Sequence, residues 1–213
     1  LLQKEVKGKV DIYKLTENAY ESLIEQYIDQ KCYLAMIGNN DYAESFLTAE
    51  WLYSSMKSAK AIDLTIIGMG YFKALEQLLF DLICLHRNED RYIKAKNSTN
   101  RKSRNEIILN DINIDNENID ISLGAMANFY KDNLDILRVD FGNSKRYILE
   151  KIFEYTRIRN GYFHKHNIHN WDIVEEIRNT SFELICLLLG SQNISIERSE
   201  EHTSELQSRH NLG

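Results

Sequence analysis

Between residues 157 and 169 the chain reads Arg157-Ile158-Arg159-Asn160-Gly161-Tyr162-Phe163-His164-Lys165-His166-Asn167-Ile168-His169, and its chemistry concentrates there. A guanidinium, a carboxamide and an imidazole within six positions offer an anion clamp, an orienting group and a proton carrier. On the helix that enters this segment, at about 100° per residue, Ile148, Ile152, Tyr155, Tyr162 and Phe163 fall within about 60° of Ile148. Arg159 lies at about 20°, inside the apolar arc. An unpaired buried charge is costly. Arg159 therefore has a carboxylate partner inside the protein, Glu76 or another acid, or it waits for an anionic ligand at an interface.

His164 sits five residues beyond Arg159, about 140° round the helix, so the two do not share a face. Asn160 and His164, four apart, do. Asn160 can hold one ring nitrogen of His164 and leave the other free for proton transfer. Gly161 permits a local kink. This geometry favours a site assembled from two copies of the segment over one made within a single chain. His164, His166 and His169 invite a metal reading, but His164 and His166 diverge by about 200° on a helix and no cysteine lies nearby. No metal is expected.

The elements that must position these residues are helical. The 213 residues include no proline and only nine glycines, whereas sandwiches and barrels draw on both for their turns. At 43% hydrophobic and 27% charged residues the chain has the composition of a folded globular protein. Helical spacing predicts a helix over residues 17–37, a second from the cap at Gly38–Asp41 to about Lys57, and a third over roughly Ile62–Leu85. The third is apolar on most of its circumference, with Ile66, Ile67, Met69, Phe72, Leu75, Leu78, Leu79, Leu82 and Ile83, and reads as the buried helix of a bundle. Gly68 and Gly70 would let a neighbour approach closely; with no third glycine in place and no preceding strand they make no dinucleotide fingerprint. Ser122 can cap a helix to about Leu137, Ser144 one that reaches the 160s, and Asn170 or Asp172 a last helix closed by Gly190.

Arg87–Arg104 holds seven basic residues against two acidic ones, and Asn105–Asp120 turns acidic and Asn-rich. Residues 87–121 are expected to form a surface insertion with a short strand or ribbon; its basic run is a solvated loop or an RNA backbone contact. Cys32, Cys84 and Cys186 are odd in number, widely spaced and set among apolar neighbours, as reduced core thiols of a cytoplasmic protein would be. No apolar stretch approaches the roughly 18 residues that span a bilayer, so no membrane partner is expected. A net charge of −6 argues against indiscriminate coating of nucleic acid and leaves room for a local basic site.

Arg159-Asn160, three residues and His164 together resemble the RX4–6H signature of the HEPN superfamily, in the RNxxxH form typical of its ribonucleases. Gly70–Leu79 resembles the first core helix of such domains, and Leu123–Tyr130 and Trp171–Leu189 fall in the expected order. The resemblance covers roughly residues 61–190. It implies an all-α, HEPN-like helical bundle with an N-terminal helical extension over 1–60, a charged insertion over 87–121 and a tail over 191–213. It also implies a metal-independent endoribonuclease that acts on single-stranded RNA without a cofactor and works as a homodimer. His164 would be general acid or base. Arg159 would hold the scissile phosphate, Asn160 would orient His164 or the phosphate, and Glu76 would support from behind. Lys165, His166 and Arg157 would contact substrate or simply face solvent. Because the RNA supplies its own 2′-OH nucleophile, the products would be a 2′,3′-cyclic phosphate and a 5′-OH end.

Such enzymes serve as toxins, with an antitoxin as partner, or as phage-defence effectors. The competing expectation is a non-catalytic HEPN-like module that grips RNA, nucleotide or protein. Leu1 stands where a start methionine would, so residues are expected to be missing before it. Arg198–Ser208 resembles the in-frame translation of a sequencing-adapter oligonucleotide, and 198–213 is expected to be non-native.

Overall fold

A computed structural model of the chain describes residues 41–57, 63–96, 104–112, 121–138 and 144–191. The helix expected over 17–37, Cys32, the Asn-rich stretch 113–120 and the tail 198–213 lie outside the described residues. Within them the protein is mostly helical, in line with the scarcity of proline and glycine. The elements are α1 (Asp41–Met56), α2 (Thr65–Cys84), β1 (Tyr92–Lys96), β2 (Arg104–Ile108), α3 (Leu123–Asp132), α4 (Ser144–His164) and α5 (Trp171–Ser191). Short 3-10 turns follow β2 and α3.

Helix α2 packs against α1, α3, α4 and α5. Its buried residues, among them Ile67, Tyr71, Phe72, Leu75, Leu78, Leu79 and Leu82, cover about half of its circumference, less than the sequence pattern predicts. Ile66 is 62% exposed, because it lies on the uncovered face that also carries Lys73, while Leu64 and Ile67 beside it are buried. The two glycines do what their size allows. A Cβ on Gly70 would lie 2.8 Å from the Ala49 Cβ, and one on Gly68 would lie 2.9 Å from the Ile168 side chain. Both approaches exist because no Cβ stands in the way.

Residues 41–57, part of the expected extension, share one core with the other described residues. Ala43, Phe46, Leu47 and Ala49 of α1 are buried, and the Phe46 ring meets Tyr71 edge-on at 5.5 Å. Glu50 of α1 is 2% exposed, and its charge is satisfied from two other helices. Tyr71 of α2 donates to its Oε1 at 2.7 Å, and Arg178 of α5 reaches both carboxylate oxygens, Nη2 to Oε2 at 2.8 Å. At the base of α2, Leu64 N donates to the Ile168 carbonyl at 2.8 Å while Ile168 N donates to the Thr65 hydroxyl at 2.9 Å.

The insertion contains the expected ribbon. β1 and β2 pair antiparallel with Tyr92 opposite Ile108 and Lys96 opposite Arg104. Ile93 is buried and Tyr92 and Ile108 are exposed, the alternation of a two-stranded sheet with one face on the core. The ribbon is fastened to α3 by its own basic residues. Arg91 pairs with Asp135 (Nη2 to Oδ2, 2.7 Å), donates to Asn133 at 3.2 Å and contacts Glu89, and Lys94 pairs with Asp132 at 3.1 Å. Arg87 donates to the Ile112 carbonyl. Three of the basic residues considered for RNA contact thus serve the fold instead.

Helix ends follow their caps. The Ser122 hydroxyl accepts from Ala125 N at 3.3 Å and starts α3, which stops at Asp132, short of Leu137, because the Asn133 amide donates back to the Phe129 carbonyl at 2.9 Å. Asn170 Oδ1 accepts from Asp172 N at 2.9 Å and starts α5. Gly190 lies inside the last turn of α5, not beyond it. The helix runs to Ser191, whose carbonyl takes the Arg138 amide at 2.8 Å.

Candidate anion-binding site at the end of α4

Helix α4 is anchored by the stripe that the sequence predicts. Ile148, Ile152 and Tyr155 are each at most 1% exposed. The Tyr155 ring meets Phe72 of α2 edge-on at 5.0 Å and its hydroxyl bonds to Ser181 of α5, so the middle of α4 is held against both helices. Burial pushes the Tyr155 phenol far above its ordinary range, which makes it a structural hydroxyl and not a proton carrier.

One turn further on, Arg159 continues that stripe and meets α2. Its Nη2 donates to Glu76 Oε2 at 3.2 Å, with the two side chains 18% and 28% exposed. Of the two partners the buried arc allows, a carboxylate inside the protein is the one present. The guanidinium is otherwise fixed by neighbours on its own helix: Nη1 donates to Asn160 Oδ1 at 3.3 Å, and its carbon lies 4.3 Å from the centre of the Phe163 ring. Its Nε is buried and has no hydrogen-bond partner. A planar cation stacked on an aromatic face, oriented by an amide and left with an unused donor is a pre-set fork for an oxyanion.

The structure brings Arg159, Asn160 and Glu76 together and places Lys165, His166 and Arg157 apart from them. Asn160, exposed, directs its oxygen at Arg159 and not toward the next turn. His164 is the last residue of α4, and its side chain lies outside the described set. Lys165, His166 and His169 are exposed in the short segment that leads to α5, and among the described residues no group of His, Cys, Asp and Glu could hold a metal ion. Arg157 is exposed on the opposite side of α4 from Glu76, where it lines a depression with Phe153 and Lys131. It is no neighbour of Arg159 despite being two residues away, since two residues span about 200° of helix.

Sequence reasoning placed Phe163 within the buried arc. It is 46% exposed, because the last turn of α4 runs past the core and the ring covers Arg159 instead of hydrophobic neighbours. Its four-residue spacing from Arg159 carried that signal. Cys84 and Cys186 are half-buried; burial pushes the Cys84 thiol above its ordinary range, which keeps it protonated and inert.

Comparison with family models, with curated proteins and with solved structures finds no match to this chain. Among the described residues no helix is long and apolar enough to cross a membrane.

Proposed function

We propose that the protein is a metal-independent endoribonuclease of the HEPN type, acting on single-stranded RNA as a homodimer in the cytoplasm. The observation that carries this reading is the state of Arg159: a half-buried guanidinium, stacked, oriented and holding a free Nε donor, at the start of an RNxxxH pattern that ends a helix.

In this reading Arg159 takes the scissile phosphate and the added negative charge of the pentacovalent transition state. Glu76 balances the cation in the free chain and keeps its fork in place for the phosphate. His164 moves the proton between the 2′-OH, the phosphate and the leaving 5′-oxygen, as an imidazole can do in both directions. A second copy of the α4 end supplies the opposite acid or base. A toxin or phage-defence role fits a small nuclease of this kind, with an antitoxin or defence component as partner.

The test is cleavage of single-stranded RNA in EDTA with analysis of the ends. Cyclic phosphate and 5′-OH products, lost in His164→Ala and Arg159→Ala, support the reading. Products with 3′-OH and 5′-phosphate ends, or a strict requirement for Mg²⁺, refute it. RNA binding without cleavage, unaltered by His164→Ala, would instead make the protein a binding module with Arg159 as its phosphate anchor.

A further inference from the structure

Away from Glu76, where the end of α3 faces α4, the surface opens into a shallow depression of about 530 Å³. Its apolar lining is Leu149 and Phe153, and Phe153 is 37% exposed on a helix whose other core-facing aromatic, Tyr155, is buried. Around that ring stand Lys131, Arg146 and Arg157. The two acids there are already engaged: Glu150 accepts from Arg146 at 2.9 Å and Glu154 from Lys151 at 3.3 Å. Neither Lys131 nor Arg157 has an ion-pair partner among the described residues. Two unbalanced cations therefore flank an exposed aromatic ring, on a chain whose net charge is −6.

The position of this patch relative to the α4 end is also specific. Phe153, Arg157, Asn160 and His164 are spaced four, three and four residues apart, which puts them on one stripe of the helix. Eleven residues at about 1.5 Å each separate the first from the last, about 16 Å. A strand stacked at about 3.4 Å per nucleotide covers that in roughly five nucleotides, and a more extended one in fewer.

We propose that this depression is a binding subsite for single-stranded RNA, in which one base stacks on Phe153 and flanking phosphates meet Lys131 and Arg157, several nucleotides from His164 at the end of the same stripe. The proposal rests on the ribonuclease reading for the direction of the strand, not for the binding itself. Stacking platforms beside unpaired cations suit any base, so the subsite adds affinity without sequence preference. A second copy of this chain fits less well, because a two-fold contact through the depression would set the unbalanced cations of both copies against each other.

The experiment is fluorescence anisotropy with a labelled, 2′-O-methylated oligouridylate, which the 2′-OH chemistry cannot cut. Phe153→Ala should weaken binding about tenfold, and Phe153→Trp should keep it. The double variant Lys131→Ala/Arg157→Ala should lower the magnitude of the slope of log K against log salt by about 1.4, two single-strand phosphate contacts. Thermal unfolding by circular dichroism checks that each variant remains folded. If wild type cleaves RNA while these variants bind like wild type, the subsite is wrong and the nuclease stands. If wild type binds and never cleaves, yet Phe153→Ala loses binding, the subsite stands and the nuclease reading fails. A switch from dimer to monomer in light scattering on Phe153→Ala would make the depression a subunit interface and overturn the proposal.

Discussion

Arg159 and Glu76 lie 83 positions apart in sequence and meet at 3.2 Å, joining the end of α4 to the middle of α2. The contact is partly open to solvent, so its contribution to stability is modest, on the order of 1 kcal/mol. Its effect on ligand affinity is of the opposite sign. Removing the carboxylate leaves the cation more available to an anion.

We therefore expect Glu76→Gln to lower unfolding stability by about 1 kcal/mol in urea titration while strengthening binding of uncleavable RNA. Arg159→Lys should bind weakly and cleave very poorly, since an ammonium cannot reach Glu76 and Asn160 together while stacking flat on Phe163. Unchanged cleavage in Arg159→Lys would exclude a role for the guanidinium fork.

The Glu50 charge gives a larger signal. Because Glu50 is 2% exposed, Arg178→Ala should cost about 3–5 kcal/mol by leaving that carboxylate with the Tyr71 hydroxyl and no cation. Replacing both members, Glu50→Leu with Arg178→Met, should recover most of the loss. A double-mutant cycle in urea measures this, and additive single effects would show that the pair is not coupled.

Gly70 provides a steric test of the α1–α2 contact. Alanine there gains up to about 1 kcal/mol of helix propensity but sets its Cβ 2.8 Å from that of Ala49. Overpacking of this kind costs about 1–3 kcal/mol, so Gly70→Ala should destabilise on balance. Adding Ala49→Gly should restore part of the loss, and a denaturation midpoint that fails to respond to the second change would contradict the close approach.

Acid should loosen the ribbon first. The Arg91 guanidinium holds the Asp135 carboxyl below its ordinary 3.8, and His86, with Arg91, holds Glu89 below its ordinary 4.5. Groups depressed in this way stabilise the fold fully above those ordinary values, and the benefit falls away as pH drops through the lower folded ones. Melting temperature should thus decline below about pH 4.5, and Asp135→Asn should flatten part of that decline. Equal pH dependence in wild type and Asp135→Asn would place the acid sensitivity elsewhere.

Much of this was legible in the sequence, for reasons that differ by element. Absence of proline, helical spacing and the Ser122 and Asn170 caps located the helices to within a few residues, since all three act locally. The arc around Ile148 showed that Arg159 needs an anion, either a carboxylate such as Glu76 or a ligand, and the fold supplies Glu76. Local pattern could not show that Glu50 is the most buried acid described, because its partners come from two other helices. Nor could it show that Arg87, Arg91 and Lys94 would be engaged by the Ile112 carbonyl and by Asp135 and Asp132. A run of like charges looks solvated until the tertiary fold sets acids opposite it. Phe163 was misplaced for a related reason: periodicity gives the face of a helix but not where the core beneath it ends.

The clasp at Leu64, Thr65 and Ile168 orders the making of this protein in time. Thr65 and Ile168 are 103 positions apart, so a ribosome adding about 5–20 residues per second needs roughly 5–20 s to supply the second half of the clasp after the first. Throughout that interval the flank of α2 that Ile168 and α5 will cover stays bare on the nascent chain. Folding of the central helix is thereby completed from the far end, and synthesis stalled before residue 168 would leave an apolar surface for a chaperone, or another nascent copy, to find.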